Sequence, residues 1–217
     1  MADKPTISFH VDAVQALTKI PTEKYLTERV DFATFSSHKF HGVRGVGFVY
    51  IKSGKKITPL LTGGGHERDY RSTTENVAGI AATAKALRLS MEKLDIFTSK
   101  TEQMKAVIRQ SLLDYPDIFV FSDEEGFTPH ILTFGIKGVR GEVIVHAFED
   151  YDIFISTTSA CSSKAGKPAG TLIAMGVDKD KAQSAVRLSL DLENDMSQVE
   201  QFLTKLKLIY NQTRKVR

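Results

Sequence analysis

Apolar and polar positions alternate through "TISFHVDAV" (residues 6–14), which predicts a strand ending at Asp12. "VDFATFS" (30–36) predicts a second, buried strand ending near Ser36. A third, "GVGFVYIK" (45–52), is entered through glycines. The period then changes. "TTENVAGIAATAKALRLSMEKL" (73–94) has helical spacing and alanine-rich content, with Thr73 or Thr74 as its N-cap. Beyond it the pattern predicts a helix in "TEQMKAVIRQSLLDY", strands in "IFVFSD" and "HILTFGI", and a helix in "RGEVIVHAFEDY". Strand "DIFIST", short helix "TLIAMGV", strand "SAVRLSL" and closing helix "SQVEQFLTKLKLIYN" follow.

The reading is α/β, with a strand-rich first part and an α+β second part of about 120 residues. A boundary near residue 90 divides the chain into 1–90 and 91–217. Hydrophobic and charged contents of 41% and 25% are those of an ordinary globular protein. A net charge of +3 demands neither nucleic acid nor a membrane surface. No signal peptide and no long apolar run are read, and a single cysteine cannot close an internal disulfide, so the reducing cytosol is the expected compartment.

Several residues could carry chemistry. Lys39 follows Ser36, Ser37 and His38 and precedes Gly42, Gly45 and Gly47. A lysine amine becomes a nucleophile toward carbonyls where its charge is disfavoured, and the flanking hydroxyls and imidazole offer donors to a phosphate. It could equally be a surface lysine in a glycine-rich hairpin. Asp12 ends an apolar strand, where it either meets a cationic partner such as a pyridinium nitrogen or caps the helix expected in "AVQALTKI" that follows. "TGGGHERDYRSTTEN" (62–76) is either a plain connection or an anion-binding loop before a helix. Cys161 lies among small hydroxyl residues and glycines, with Lys164 and Lys167 near enough to favour its thiolate. Arg187 interrupts an apolar strand, either paired within the fold or reserved for a substrate carboxylate. His10, His41, His130 and His146 read as ordinary polar or packing histidines. No metal site is read.

Taken in order, "FHVDAVQALTKIP", "FSSHKFHGVRGVGFVYI", "PLLTGGGHERDYRSTTENVAGI", "STTSACSSKAGKP" and "SAVRLSL" closely resemble the cysteine desulfurases, in the class V branch of the fold type I pyridoxal-phosphate enzymes. The likeness runs from about residue 7 to the C-terminus and is weakest over 95–150. It implies part of the large cofactor-binding domain's sheet over residues 1–90, then a small C-terminal α+β domain over 91–217. It also implies that the chain corresponds to the second half of such an enzyme, without the earlier phosphate loop and ring-stacking histidine. An isolated chain of this kind is expected to be inactive.

By the same resemblance Lys39 would hold pyridoxal 5'-phosphate covalently, and Ser36 and His38 would contact its phosphate. Asp12 would pair with the pyridine nitrogen, Gln15 would contact the ring hydroxyl, and Thr74 would reach the phosphate of a partner subunit in a homodimer. Arg187 would hold the carboxylate of L-cysteine. Cys161 would take its sulfur as a persulfide, releasing L-alanine and passing the sulfur to an acceptor protein such as an iron–sulfur scaffold. His41 and Thr73 depart from the family's usual aromatic and glycine. A selenocysteine lyase is the near alternative, and a non-catalytic dimerisation or partner-binding module the distant one.

Overall fold

The computed structural model describes residues 7–122, 126–157 and 170–215. The chain divides into two compact units, Met1–Asp95 and Ile96–Arg217.

The first unit is built on three strands in spatial order β1 (His10–Asp12), β2 (Phe32–Ser36) and β3 (Gly47–Ile51). β1 runs parallel to β2, with Asp12 opposite Thr34, and β3 returns antiparallel, with Gly47 opposite Ser36. The pleat sends Ala33 and Phe35 into a core formed with Ala13, Leu17, Tyr25, Val30 and Phe40. Each large side chain buried there contributes about 1.5–3 kcal/mol. His10, Asp12, Thr34 and Ser36 occupy the opposite, more open face, where the His10 imidazole lies 3.2 Å from Thr34 Oγ1. "AVQALTKI" forms turns, not a helix, and Thr18 within it has a positive φ of 65°.

The expected long helix is α1 (Val77–Met91), and its N-cap is Asn76, not Thr73 or Thr74. The Asn76 side chain accepts the Gly79 N–H at 3.0 Å, so the two threonines stay in the preceding loop. α2 (Leu94–Leu113) begins three residues after α1 ends, starting ahead of the stretch that predicted it.

In the second unit α2 buries Phe97, Thr101, Met104, Ile108 and Leu112 at helical spacing. The sheet has the order β4 (Ile118–Val120), β5 (Ile131–Ile136), β7 (Ala185–Ser189), β6 (Ser156–Thr157), and every pairing is antiparallel. α3 (Gly141–Glu149) and α6 (Met196–Lys215) join α2 over one face, where Leu132, Phe134, Ile144, Phe148, Val186 and Leu206 are fully buried. Two short helices, α4 (Gly170–Ala174) and α5 (Lys179–Gln183), bring Leu172 and Ala182 against Ala185 at one end of β7. Thr133, Arg187 and Ser156 lie side by side on the sheet's other face. No helix of the described residues is long and apolar enough to cross a membrane.

Candidate functional site

The carboxyl ends of adjacent parallel strands are where open α/β sheets receive ligands. In the first unit that edge holds Asp12 at the end of β1 and Ser36 at the end of β2, on the same face of the sheet. Gln15 follows in the exposed turn after β1. β2 runs directly into a 3₁₀ turn, Ser37–Phe40, that carries exposed His38 and half-buried Lys39. The carboxyl ends of two neighbouring strands thus carry a carboxylate on β1 and a hydroxyl, an imidazole and an amine on β2 and the turn after it.

No helix follows for Asp12 to cap; its Oδ1 instead accepts the Val14 N–H at 3.1 Å, closing the first of the turns after β1. A carboxylate has further lone pairs, so this bond leaves it able to meet a cationic N–H as well. Thr74 lies exposed in the loop ahead of α1. That loop takes an unusual path, with Glu67, Arg68 and Asp69 all at positive φ (52°, 58° and 66°).

Ser37 cannot serve as a phosphate donor, because it is fully buried and its hydroxyl is 2.9 Å from that of Thr83 on α1. Ser36, one residue earlier, keeps the open face. The sequence could have signalled this, since Ala33, Phe35 and Ser37 continue one two-residue alternation into the core.

The turn after Ser37 is shaped by glycine. A Cβ on Gly42 would stand 1.9 Å from Ser37 Oγ, and one on Gly47 would stand 2.5 Å from the Phe35 carbonyl. Both positions therefore accept no side chain without displacement of the segment that carries Lys39.

Sequence reasoning also missed Asp31, which organises the approach to β1. Its carboxylate accepts the Phe9 N–H at 2.9 Å and meets Arg29 and Lys55, each at 3.2 Å. The backbone donor and the two cations hold its pKa below the ordinary carboxylate range, against a smaller opposing effect of burial.

In the second unit Arg187 sits mid-strand in β7, opposite Thr133 on β5 and Ser156 on β6. Its Nε is buried with no hydrogen-bond partner among the described residues. A guanidinium donor left this way loses hydration without compensation, and an anionic ligand would restore the bond. Ser156 and Thr157 lead straight into the segment containing Cys161, which lies outside the described residues. No cluster of three metal-ligating side chains occurs among the described residues.

A family model described as Aminotransferase class-V matches residues 1–202. A NifS/IcsS protein homolog of Lactobacillus delbrueckii subsp. bulgaricus is 46% identical over 217 residues, covering 100% of this chain and 56% of that protein. A cysteine desulfurase of Sinorhizobium fredii is 34% identical over 218 residues, again 100% of this chain and 56% of that protein. Among solved structures, a NifS-like protein superposes with a TM-score of 0.84 at 35% identity, over 97% of this chain and 54% of its own. A NifS-like protein from Rickettsia africae superposes with a TM-score of 0.82 at 29% identity, over 94% and 54%. The chain spans about half the length of the curated relatives it matches.

Proposed function

Because the chain belongs to the aminotransferase class V family, we propose that it carries the lysine-bearing part of a pyridoxal-phosphate-dependent cysteine desulfurase. The observation that carries this reading is the convergence of Asp12, Ser36, His38 and Lys39 at the carboxyl ends of two adjacent parallel strands. The donor set fits the cofactor group by group. A carboxylate suits a pyridinium N–H, an amine suits an aldehyde, and a hydroxyl with an imidazole suits a phosphate. We place the first unit in the cofactor-binding domain and the second in the small domain. The assignment to the second half of the longer enzymes rests on the order of the sequence blocks.

Bound there, pyridoxal phosphate supplies an electrophilic aldehyde and an electron sink. The protein's own groups do the rest. Asp12 holds a proton on the ring nitrogen, and Lys39 Nζ anchors the cofactor and moves protons at the substrate α-carbon. Ser36 Oγ and His38 hold the phosphate, Gln15 the ring hydroxyl, and Thr74 a phosphate of the partner subunit. Arg187 orients the carboxylate of L-cysteine through paired N–H donors, Nε among them. Cys161 Sγ takes the substrate sulfur. The balance needs no oxidant: two thiols, one on the enzyme and one on cysteine, become an enzyme persulfide and L-alanine. The persulfide sulfur then passes to an acceptor protein.

The second reading is a non-catalytic docking or dimerisation module. Exposure of Phe48, Val49 and Tyr50 along β3 favours it. A spectrum of the 217-residue chain with pyridoxal phosphate, beside Lys39→Ala, separates the two. A visible absorption band that the variant lacks supports the enzymatic reading. Its absence in the unsubstituted chain overturns a self-sufficient cofactor site and favours the module.

A further inference from the structure

The turn that carries Lys39 is fastened to α1 at both ends. At its start Thr83 Oγ1 lies 2.9 Å from Ser37 Oγ and 2.7 Å from the Gly79 carbonyl. A hydroxyl has one proton and a carbonyl can only accept. The Thr83 proton therefore goes to Gly79, and the Ser37 hydroxyl donates to Thr83. At the turn's end Ser90 Oγ donates to the Phe40 carbonyl at 3.3 Å. Thr83 and Ser90 are seven residues apart on α1, so they share one helix face, and Ala86 and Leu87 between them pack into the same core as Phe40.

Ser37 is also held by its backbone. Its N–H donates to the Val46 carbonyl at 3.0 Å, and its carbonyl accepts the N–H groups of His41 and Gly42. The Gly42 position admits Ser37 Oγ only because it lacks a Cβ, and Gly79 is similarly tight against Val46, whose Cγ2 would be 2.8 Å from an added Cβ. Turn, glycine loop and helix are thus closed around one buried hydroxyl pair.

We propose that Ser37 and Thr83 are positioning residues for Lys39: their buried hydroxyl pair fixes the turn against α1 and so sets where the lysine amine is presented. The inference deepens the cofactor reading above and touches residues that the reading leaves without a role. Ser37 is not a ligand; it acts through the backbone two residues before the amine.

The test measures Lys39 in the full chain by two routes. Brief acetylation over a range of pH, read residue by residue by mass spectrometry, gives the labelling of half-buried Lys39 relative to exposed Lys56 and Lys85. Borohydride trapping with pyridoxal phosphate gives the cofactor adduct at Lys39. S37A keeps the Thr83–Gly79 bond and strands no partner. T83V removes the hydroxyl and T83S restores it. S37A and T83V should raise Lys39 labelling relative to Lys56 by roughly fivefold, the equivalent of one hydrogen bond, and lower adduct formation similarly. T83S should match the unsubstituted chain in both, a rescue that simple loss of packing would not give. If S37A fails to fold, the T83V and T83S pair makes the same comparison. An unchanged labelling ratio and pH profile in S37A and T83V overturns the proposal. An unsubstituted chain with no Lys39 adduct overturns the cofactor reading instead, while the labelling ratio still decides the positioning role.

Discussion

Arg187 and Ser156 stand opposite each other in the ladder between β7 and β6, on the sheet face away from the helical core. Cys161 follows Ser156 by five positions, a span of at most roughly 17 Å in extended chain. A guanidinium whose buried Nε has no hydrogen-bond partner among the described residues and the chain's one thiol are therefore joined by sequence to the same pair of strands. A ligand carboxylate is the group that a guanidinium donor left this way would take.

Arg187→Met should remove the response to such a carboxylate without unfolding the protein. The substitution keeps much of the side chain's bulk and eliminates an uncompensated donor, so the stability change should stay within about 1 kcal/mol. A carboxylate ligand present at 100 times its Kd should stabilise the unsubstituted chain by about 2.7 kcal/mol and the variant not at all. Thermal unfolding with and without L-alanine, the carboxylate-bearing product, checks this. An equal shift in both proteins would show that Arg187 holds no carboxylate.

Gly42→Ala should be costly, because the new Cβ would stand 1.9 Å from Ser37 Oγ and 2.9 Å from the Ser37 carbonyl. A loss of about 1–3 kcal/mol is expected from such overpacking. Combining it with Ser37→Ala removes the nearer clash, so the double variant should be more stable than the sum of the single losses. Urea denaturation of the four proteins measures the coupling, and strict additivity would contradict the contact.

Asp31 should make the first unit acid-sensitive. Its folded pKa is lowered, chiefly by the Phe9 N–H, so the unfolded chain binds its proton more readily. Stability from this group is fully present above the ordinary carboxylate pKa and is lost as pH falls through the depressed folded value. Asp31→Asn should flatten stability against pH over that acidic window and leave the neutral slope unchanged. Denaturant midpoints across the acidic range, with a slope no different from that of the unsubstituted chain, would contradict this.

In the second unit the stacked pair Phe148 and Phe202, with ring centroids 4.9 Å apart and planes within 9°, joins α3 to α6. Both are buried. Phe148→Ala should cost about 3–5 kcal/mol. Phe148→Leu, which keeps most of the volume, should cost distinctly less. Equal losses would mean that the cavity does not govern this site.

The sequence made the strands of strong alternation easy to read. β2, β5 and β7 lie within the stretches that predicted them and end within a residue or two of their limits. β1 was overextended. Only His10–Asp12 pair, because at Phe9 the N–H turns to the Asp31 carboxylate instead of continuing the ladder. "DIFIST" shrank to Ser156–Thr157: Asp152 adopts a positive φ of 58° and the Ile153 N–H turns back to the Phe148 carbonyl at 3.1 Å, so its first residues finish the turn after α3.

The chemistry divided along similar lines. Lys39, Asp12 and Ser36 drew notice as polar residues at or just after strand ends, with a surface lysine and a helix cap left open as readings of the first two. The pairing of Ser37 with Thr83 did not, because it joins positions 46 apart and nothing in either residue's neighbours in sequence points to the other. Arg187 was visible as a charge in an apolar strand, but only the ladder shows that its neighbours across the sheet are Thr133 and Ser156, not a carboxylate.

β3 is the thinnest-clad strand of its sheet: Phe48, Val49 and Tyr50 are 39%, 45% and 40% exposed, so neither face of it is sealed. Amide protons there should exchange with solvent ahead of those of β2, whose core face is closed. The first unit should accordingly fray from β3 inward. Val46, whose carbonyl holds the Ser37 N–H, lies one residue before that strand. Fraying thus reaches the lysine turn early, and anything that clasps β3 would slow exchange in both.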